Sequence, residues 1–208
     1  LEGMTTVSAN RPGIGRPRLS RLAVVCAGVA SLTPAIVAVL PARAGTCPVS
    51  TTCATTVNFT VNAPNGLTIT VPNGPVAIGS GAPGGQITGQ LGAVTVSDQR
   101  AALTAIWTAS VIAPGGFKTG GFSTAETIPS SSVRYWSGAA TSTTGTGTFT
   151  PGQANAGSAL SLEISRTAFT KASGSGSNSA TWNPTIVVNV PTGAVAGAYS
   201  GVVSHSVA

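Results

Sequence analysis

From residue 55 to the end of the chain, apolar and polar residues alternate with period two in one short run after another. Such alternation places every second side chain on one face of an extended chain, the pattern of a half-buried strand. The most prominent block is 94–111. Val94 and Val96 alternate with Thr95 and Ser97, and Leu103, Ala105, Trp107, Ala109 and Val111 fall on one face. Asp98 and Arg100 sit between the two halves. The pattern predicts two strands joined by a tight connection that Asp98 and Arg100 pin as an ion pair, with Trp107 as a core anchor.

The other runs follow the same logic. Residues 55–61 carry Val57, Phe59 and Val61 in phase, and 67–71 carry Leu67, Ile69 and Val71. Ala63-Pro64-Asn65-Gly66 lies between them, so the pair predicts a β-hairpin. A short strand is expected at 76–78, then a glycine-rich link at 79–85. Short extended pieces are expected at 127–129 and 133–136, and a loop at 139–147, where Thr, Ser, Gly and Ala offer little to bury. Leu160, Leu162 and Ile164 alternate in a strand over 159–164, continued by Arg166, Ala168 and Phe169. Residues 171–179 read as a Gly-Ser turn. Pro184 separates 180–183 from 186–190 and marks an edge or a break. Tyr199, Val203, His205 and Val207 are in phase in a last strand over 198–207. No useful window has the helical period. The expectation is an all-β fold, an antiparallel sandwich of Ig-like, Greek-key type, in one domain over 45–208.

Charge changes the picture at the N-terminus. The 208-residue chain has a net charge of +6, but Arg11, Arg16, Arg18, Arg21 and Arg43 all precede Gly45. An apolar stretch over 22–40 and the small-x-small triplet Ala42-Arg43-Ala44 follow the first four arginines. That order predicts a signal peptide over 1–44, its apolar part a helix, cut after Ala44, with a retained membrane anchor as the alternative. The protein is then secreted or held at the cell surface. From Gly45 onward the basic residues are scattered singly, which argues against a nucleic-acid surface.

Candidate chemistry is sparse. Cys47 and Cys53 follow the leader closely, and in an exported chain such a pair most simply forms a disulfide. A metal pair or a redox couple is the alternative; with no further Cys after the leader and one distant His, no metal or cofactor is expected. Asp98, Glu126 and Glu163 are the only acids after the leader and His205 the only histidine. A triad needs a nucleophile, a base and an orienting acid, and a glycosidase needs two facing carboxylates. The sequence offers neither, so no catalytic residue is assigned and an enzyme is not expected. Tyr135, Trp136 and Trp182 remain as a candidate ligand face, with packing under a loop as the alternative reading for Trp136.

The chain from Asp98 onward resembles the WxL domain, a cell-surface β module of Gram-positive bacteria, in a form whose composition resembles actinobacterial relatives. The resemblance rests on the turn Val96-Ser97-Asp98-Gln99-Arg100, on Trp107-Thr108-Ala109, and on Ala198-Tyr199-Ser200 leading to His205-Ser206-Val207. Ala109 stands at the Leu position of the first W-x-L motif. In the second motif His205 stands for Trp and Val207 for Leu. The resemblance implies non-covalent association with peptidoglycan or other envelope glycan, or with surface partner proteins. The alternative is a subunit of a surface polymer or pilus-like assembly built by pairing of strand edges; a secreted hydrolase is a third reading.

Overall fold

The computed structural model describes residues 48–208 except Asn65 and Phe122. The leader over 1–44, Cys47 and hence the Cys47–Cys53 pairing lie outside the described residues. The chain divides into two compact units, Leu1–Val57 and Asn58–Ala208. The described part of the first, 48–57, is exposed and contains no strand.

The second unit is all-β, with fifteen strands in four antiparallel sheets among the described residues. The first sheet joins β1 (Leu67–Thr70), β3 (Val94–Asp98), β12 (Asn178–Trp182) and β8 (Ala140–Thr144) in that order. The second joins β10 (Leu160–Ser161), β7 (Val133–Trp136), β13 (Thr185–Asn189) and β2 (Gln86–Gln90). The third joins β15 (Ser204–Val207), β4 (Trp107–Ile112), β11 (Arg166–Lys171) and β9 (Phe149–Pro151), and the fourth β14 (Ser200–Gly201), β5 (Phe117–Lys118) and β6 (Thr127–Ile128).

The first two sheets share three chains that break along one line. The β3–β12 ladder ends at Val94 opposite Trp182, and the β2–β13 ladder resumes at Gln90 opposite Thr185. On the other side Ala140 faces Trp182 and Trp136 faces Thr185. Residues 91–93, 137–139 and 183–184 therefore interrupt neighbouring strands together. Pro184 has no N–H to give to a ladder. The Asn183 side chain substitutes for a backbone partner and accepts from Gly92 N–H at 3.1 Å, while Leu91 N–H donates to Pro184 O at 2.9 Å. Gly92 (φ 95°) and Gly138 (φ 70°) take the left-handed conformations that the bend requires.

The core lies where the first and third sheets present their apolar faces. Val94, Val96, Ala180 and Trp182 meet Trp107, Ala109, Val111 and Phe169, all buried. Trp182 stacks on Phe169 at 4.9 Å between ring centroids, and Trp107 lies 6.5 Å from Phe169 and 6.3 Å from Phe149. These offset and tilted arrangements add to the apolar burial that large rings supply. A β-bulge between Thr167 and Phe169 turns both Ala168 and Phe169 inward.

Several expected elements differ. Residues 55–61 form no strand, and Val57, Phe59 and Val61 are 76%, 83% and 79% exposed. β1 pairs with β3 instead, Leu67 opposite Asp98. An isolated hairpin is marginal in water, whereas β3 offers β1 a place in a four-stranded sheet over a core. Residues 76–78 are likewise irregular. The halves of 94–111 are strands, but they belong to different sheets and do not form a hairpin. The second half begins at Trp107, and Leu103, at 91% exposure, does not join the apolar face. Residues 139–147 contain β8, an edge strand whose Thr and Ser side chains face water while its backbone pairs with β12. The 159–164 strand shrinks to β10: Leu162 is buried while Leu160 and Ile164 are exposed, because the chain bends at 162–164. The 198–207 strand splits into β14 and β15. Pro184 marks a break and not an edge, since β12 and β13 are interior to their sheets.

Candidate functional site

Asp98, Arg100 and Trp107 converge on one buried network. β3 ends in Asp98, whose side chain is fully buried beneath the 99–106 connection. Arg100 Nε donates to Asp98 Oδ1 and Nη2 to Oδ2, each at 2.9 Å, and the Arg100 backbone N–H donates to Oδ1 at 3.0 Å. Arg100 Nη2 also donates to Ile106 O at 2.9 Å, closing the connection onto the start of β4. Asn178, the first residue of β12, completes the set. Trp107 Nε1 donates to Asn178 Oδ1 at 2.8 Å, and Asn178 Nδ2 donates to Asp98 Oδ2 at 3.3 Å. The Arg100 hydrogen bonds hold the Asp98 carboxyl below its ordinary range, against the opposing effect of burial. The network braces the first sheet against the third.

Asn178 is invisible in the sequence because it sits in a Gly-Ser stretch that reads as a turn. The same holds for Lys171. Its side chain is 1% exposed, and Nζ donates to Ala105 O at 2.6 Å and Ser173 O at 2.7 Å. It ties the 99–106 connection to the 172–177 loop, where Gly176 N–H also donates to Ala102 O at 2.8 Å.

His205 borders a buried aromatic group. Trp182 Nε1 donates to Tyr135 OH at 3.2 Å, and Tyr135 OH lies 3.4 Å from His205 Nε2. Both Tyr135 and Trp182 are fully buried, which removes them from the expected ligand face. Their alternating positions point them to the core side of β7 and β12, where each ring finds a polar partner for its one polar atom. Burial raises the Tyr135 phenol and lowers the His205 imidazole to about 4, so His205 is neutral at pH 7. Val207, two residues on, packs against the core on the same face. Tyr199 acts elsewhere: its OH lies 2.9 Å from Val195 O and 3.1 Å from Ala125 O, pinning the entry to β14.

The acids are occupied by local structure. Glu126 Oε2 accepts from Ser123 Oγ at 2.6 Å and from Ser123 N–H at 3.4 Å, capping the 3-10 turn Thr124–Glu126. Glu163 is exposed and its Oε1 accepts from Ser161 Oγ at 3.2 Å.

Two concavities among the described residues bear on ligand binding. The first is a groove of about 250 Å³ between residues 71–78 and 201–205, with Leu91, Val94 and Ile186 in its floor and His205 in its wall. The second, of about 340 Å³, lies on the outward face of the second sheet. There Thr88, Val187 and Arg134 form a row across β2, β13 and β7, and Gln90, Thr185 and Trp136 form the next. Trp136 is half-buried, with Arg134, Gln86 and Thr88 exposed around it and Gly157 closing one side. Arg134 Nη2 donates to Ala159 O, which fixes the guanidinium beside the indole cleft. Of the three aromatics expected on a ligand face, Trp136 alone reaches a cleft. Comparison with known proteins finds no matching family model, no matching curated protein and no matching solved structure.

Proposed function

We propose that this is a non-catalytic surface protein, exported by its N-terminal leader and associated with the cell wall through envelope glycan. In this reading the leader is cut after Ala44, Cys47 and Cys53 close a small disulfide loop, and the sheets form an Ig-like, Greek-key sandwich of the WxL type. The Trp136 cleft carries the proposal. A half-exposed indole can stack on the C–H face of a sugar ring, and the surrounding Gln86, Thr88 and Arg134 side chains can hydrogen-bond its hydroxyl or carboxylate groups.

The test is retention of the mature chain, from Gly45 onward, on purified cell walls. Wild type is expected to bind above a charge-matched control protein, and Trp136→Ala to weaken binding about tenfold with no loss of folding. Retention no better than the control removes the wall-binding reading. Wild-type retention unchanged by Trp136→Ala removes the cleft from it.

A further inference from the structure

We propose that the chain self-associates head to tail, residues 55–61 of one copy adding as a strand along residues 200–203 of a second copy with Val57, Phe59 and Val61 in its apolar groove. Four observations carry this. Residues 55–61 have the period-two alternation of a strand, yet they belong to none, and their three large apolar side chains lie 76–83% exposed. Scattered single apolar residues on a surface need no explanation, but three in phase on one short run form a strand face without a partner. No charged residue occurs between Arg43 and Asp98, so the run lacks the charges that blunt an edge-seeking strand.

The acceptor has matching chemistry. β14 is an edge strand of its sheet, with one side of its backbone unpaired, and the irregular residues 202–203 continue from it; β15 ends the third sheet but has β1 alongside it. The groove beside them is floored by core residues Leu91, Val94 and Ile186, and Val71, Val76 and Val202 at its rim are 42%, 42% and 65% exposed. His205 in the wall is neutral at pH 7, so the groove carries no charge there. Edge addition with alternate side chains in pockets is a general mode of strand recognition. Donor and acceptor are different surfaces of the chain, so the contact is heterologous and propagates instead of closing as a two-fold dimer. The proposal is independent of the Trp136 cleft.

Sedimentation velocity of the full chain over a wide concentration range tests it. Wild type should shift from monomer to a series of oligomers. Phe59→Asp disables the donor and Val202→Asp the acceptor, and both positions are exposed, so neither change disturbs the core. Each variant alone should stay monomeric at concentrations where wild type assembles. An equimolar mixture should form a 1:1 dimer and nothing larger, because one intact donor meets one intact acceptor. Wild type that stays monomeric, including by docking its own segment, overturns the proposal. So does association that survives in either single variant, or a mixture that fails to pair.

Discussion

Protonation of His205 gives the sharpest prediction of the fold. The imidazole sits in the groove wall, 3.4 Å from Tyr135 OH, and its ring lies 5.9 Å from the Tyr135 ring. Burial lowers it from 6.5 to about 4. In the unfolded chain it titrates near 6.5, so on acidification the unfolded state takes the proton first. Stability contributed by neutral His205 is complete above pH 6.5 and is lost progressively as pH falls to about 4, below which the loss levels off. One pKa unit is worth about 1.4 kcal/mol, so the full window amounts to about 3 kcal/mol. The assay is urea unfolding at several pH values between 7.5 and 4.5, comparing wild type with His205→Leu. His205 is the sole histidine, so the difference between the two slopes isolates it. Wild type should lose about 2 to 3 kcal/mol more than the variant across that range. Parallel pH dependences for the two proteins would refute the buried, neutral assignment. The Asp98 contribution falls in a separate window: its carboxyl is lowered from 3.8, so its share of stability is present above that value and is lost only at more acidic pH.

Further outcomes follow from the brace. Arg100→Ala leaves a buried carboxylate without its cation and should cost about 2 to 3 kcal/mol in chemical unfolding, less than a fully enclosed pair because the guanidinium is 39% exposed. Asn178→Ala strips Trp107 Nε1 of its acceptor and should cost about 1 to 3 kcal/mol by the same measurement. Ala101 has φ 49°, a left-handed conformation that disfavours Ala, so Ala101→Gly should stabilise the 99–106 connection by about 0.5 to 1 kcal/mol in thermal unfolding. Glu163→Gln changes an exposed side chain and should move stability by no more than about 0.5 kcal/mol.

Local alternation carries much information in this chain and fails in an orderly way. It marks β3 correctly, because Val94 and Val96 face the core while Thr95 and Ser97 face outward. It places Ala105, Trp107, Ala109 and Val111 on one buried face. The Asp98–Arg100 pair is legible too, since two opposite charges lie two residues apart in a chain with few others. The same pattern misleads at 55–61, where strand-like residues meet no partner, and at 139–147, where an edge strand needs only backbone bonds and shows no apolar face. Among the candidate ligand residues, alternation along β7 separates Tyr135 from Trp136 without saying which one faces the core.

What the sequence determines by itself is the all-β class and the pinned turn. Period-two patterning, Gly and Pro punctuation and the scarcity of charge act within a few residues, so they survive without tertiary knowledge. What only the tertiary structure decides is pairing. β1 goes to β3 and not to 55–61, β3 and β4 part into different sheets, and Asn178 arrives from eighty residues away to join Asp98 to Trp107. Such choices depend on which face can be covered by a second layer, and that comparison of buried areas between distant segments is written nowhere in the local sequence.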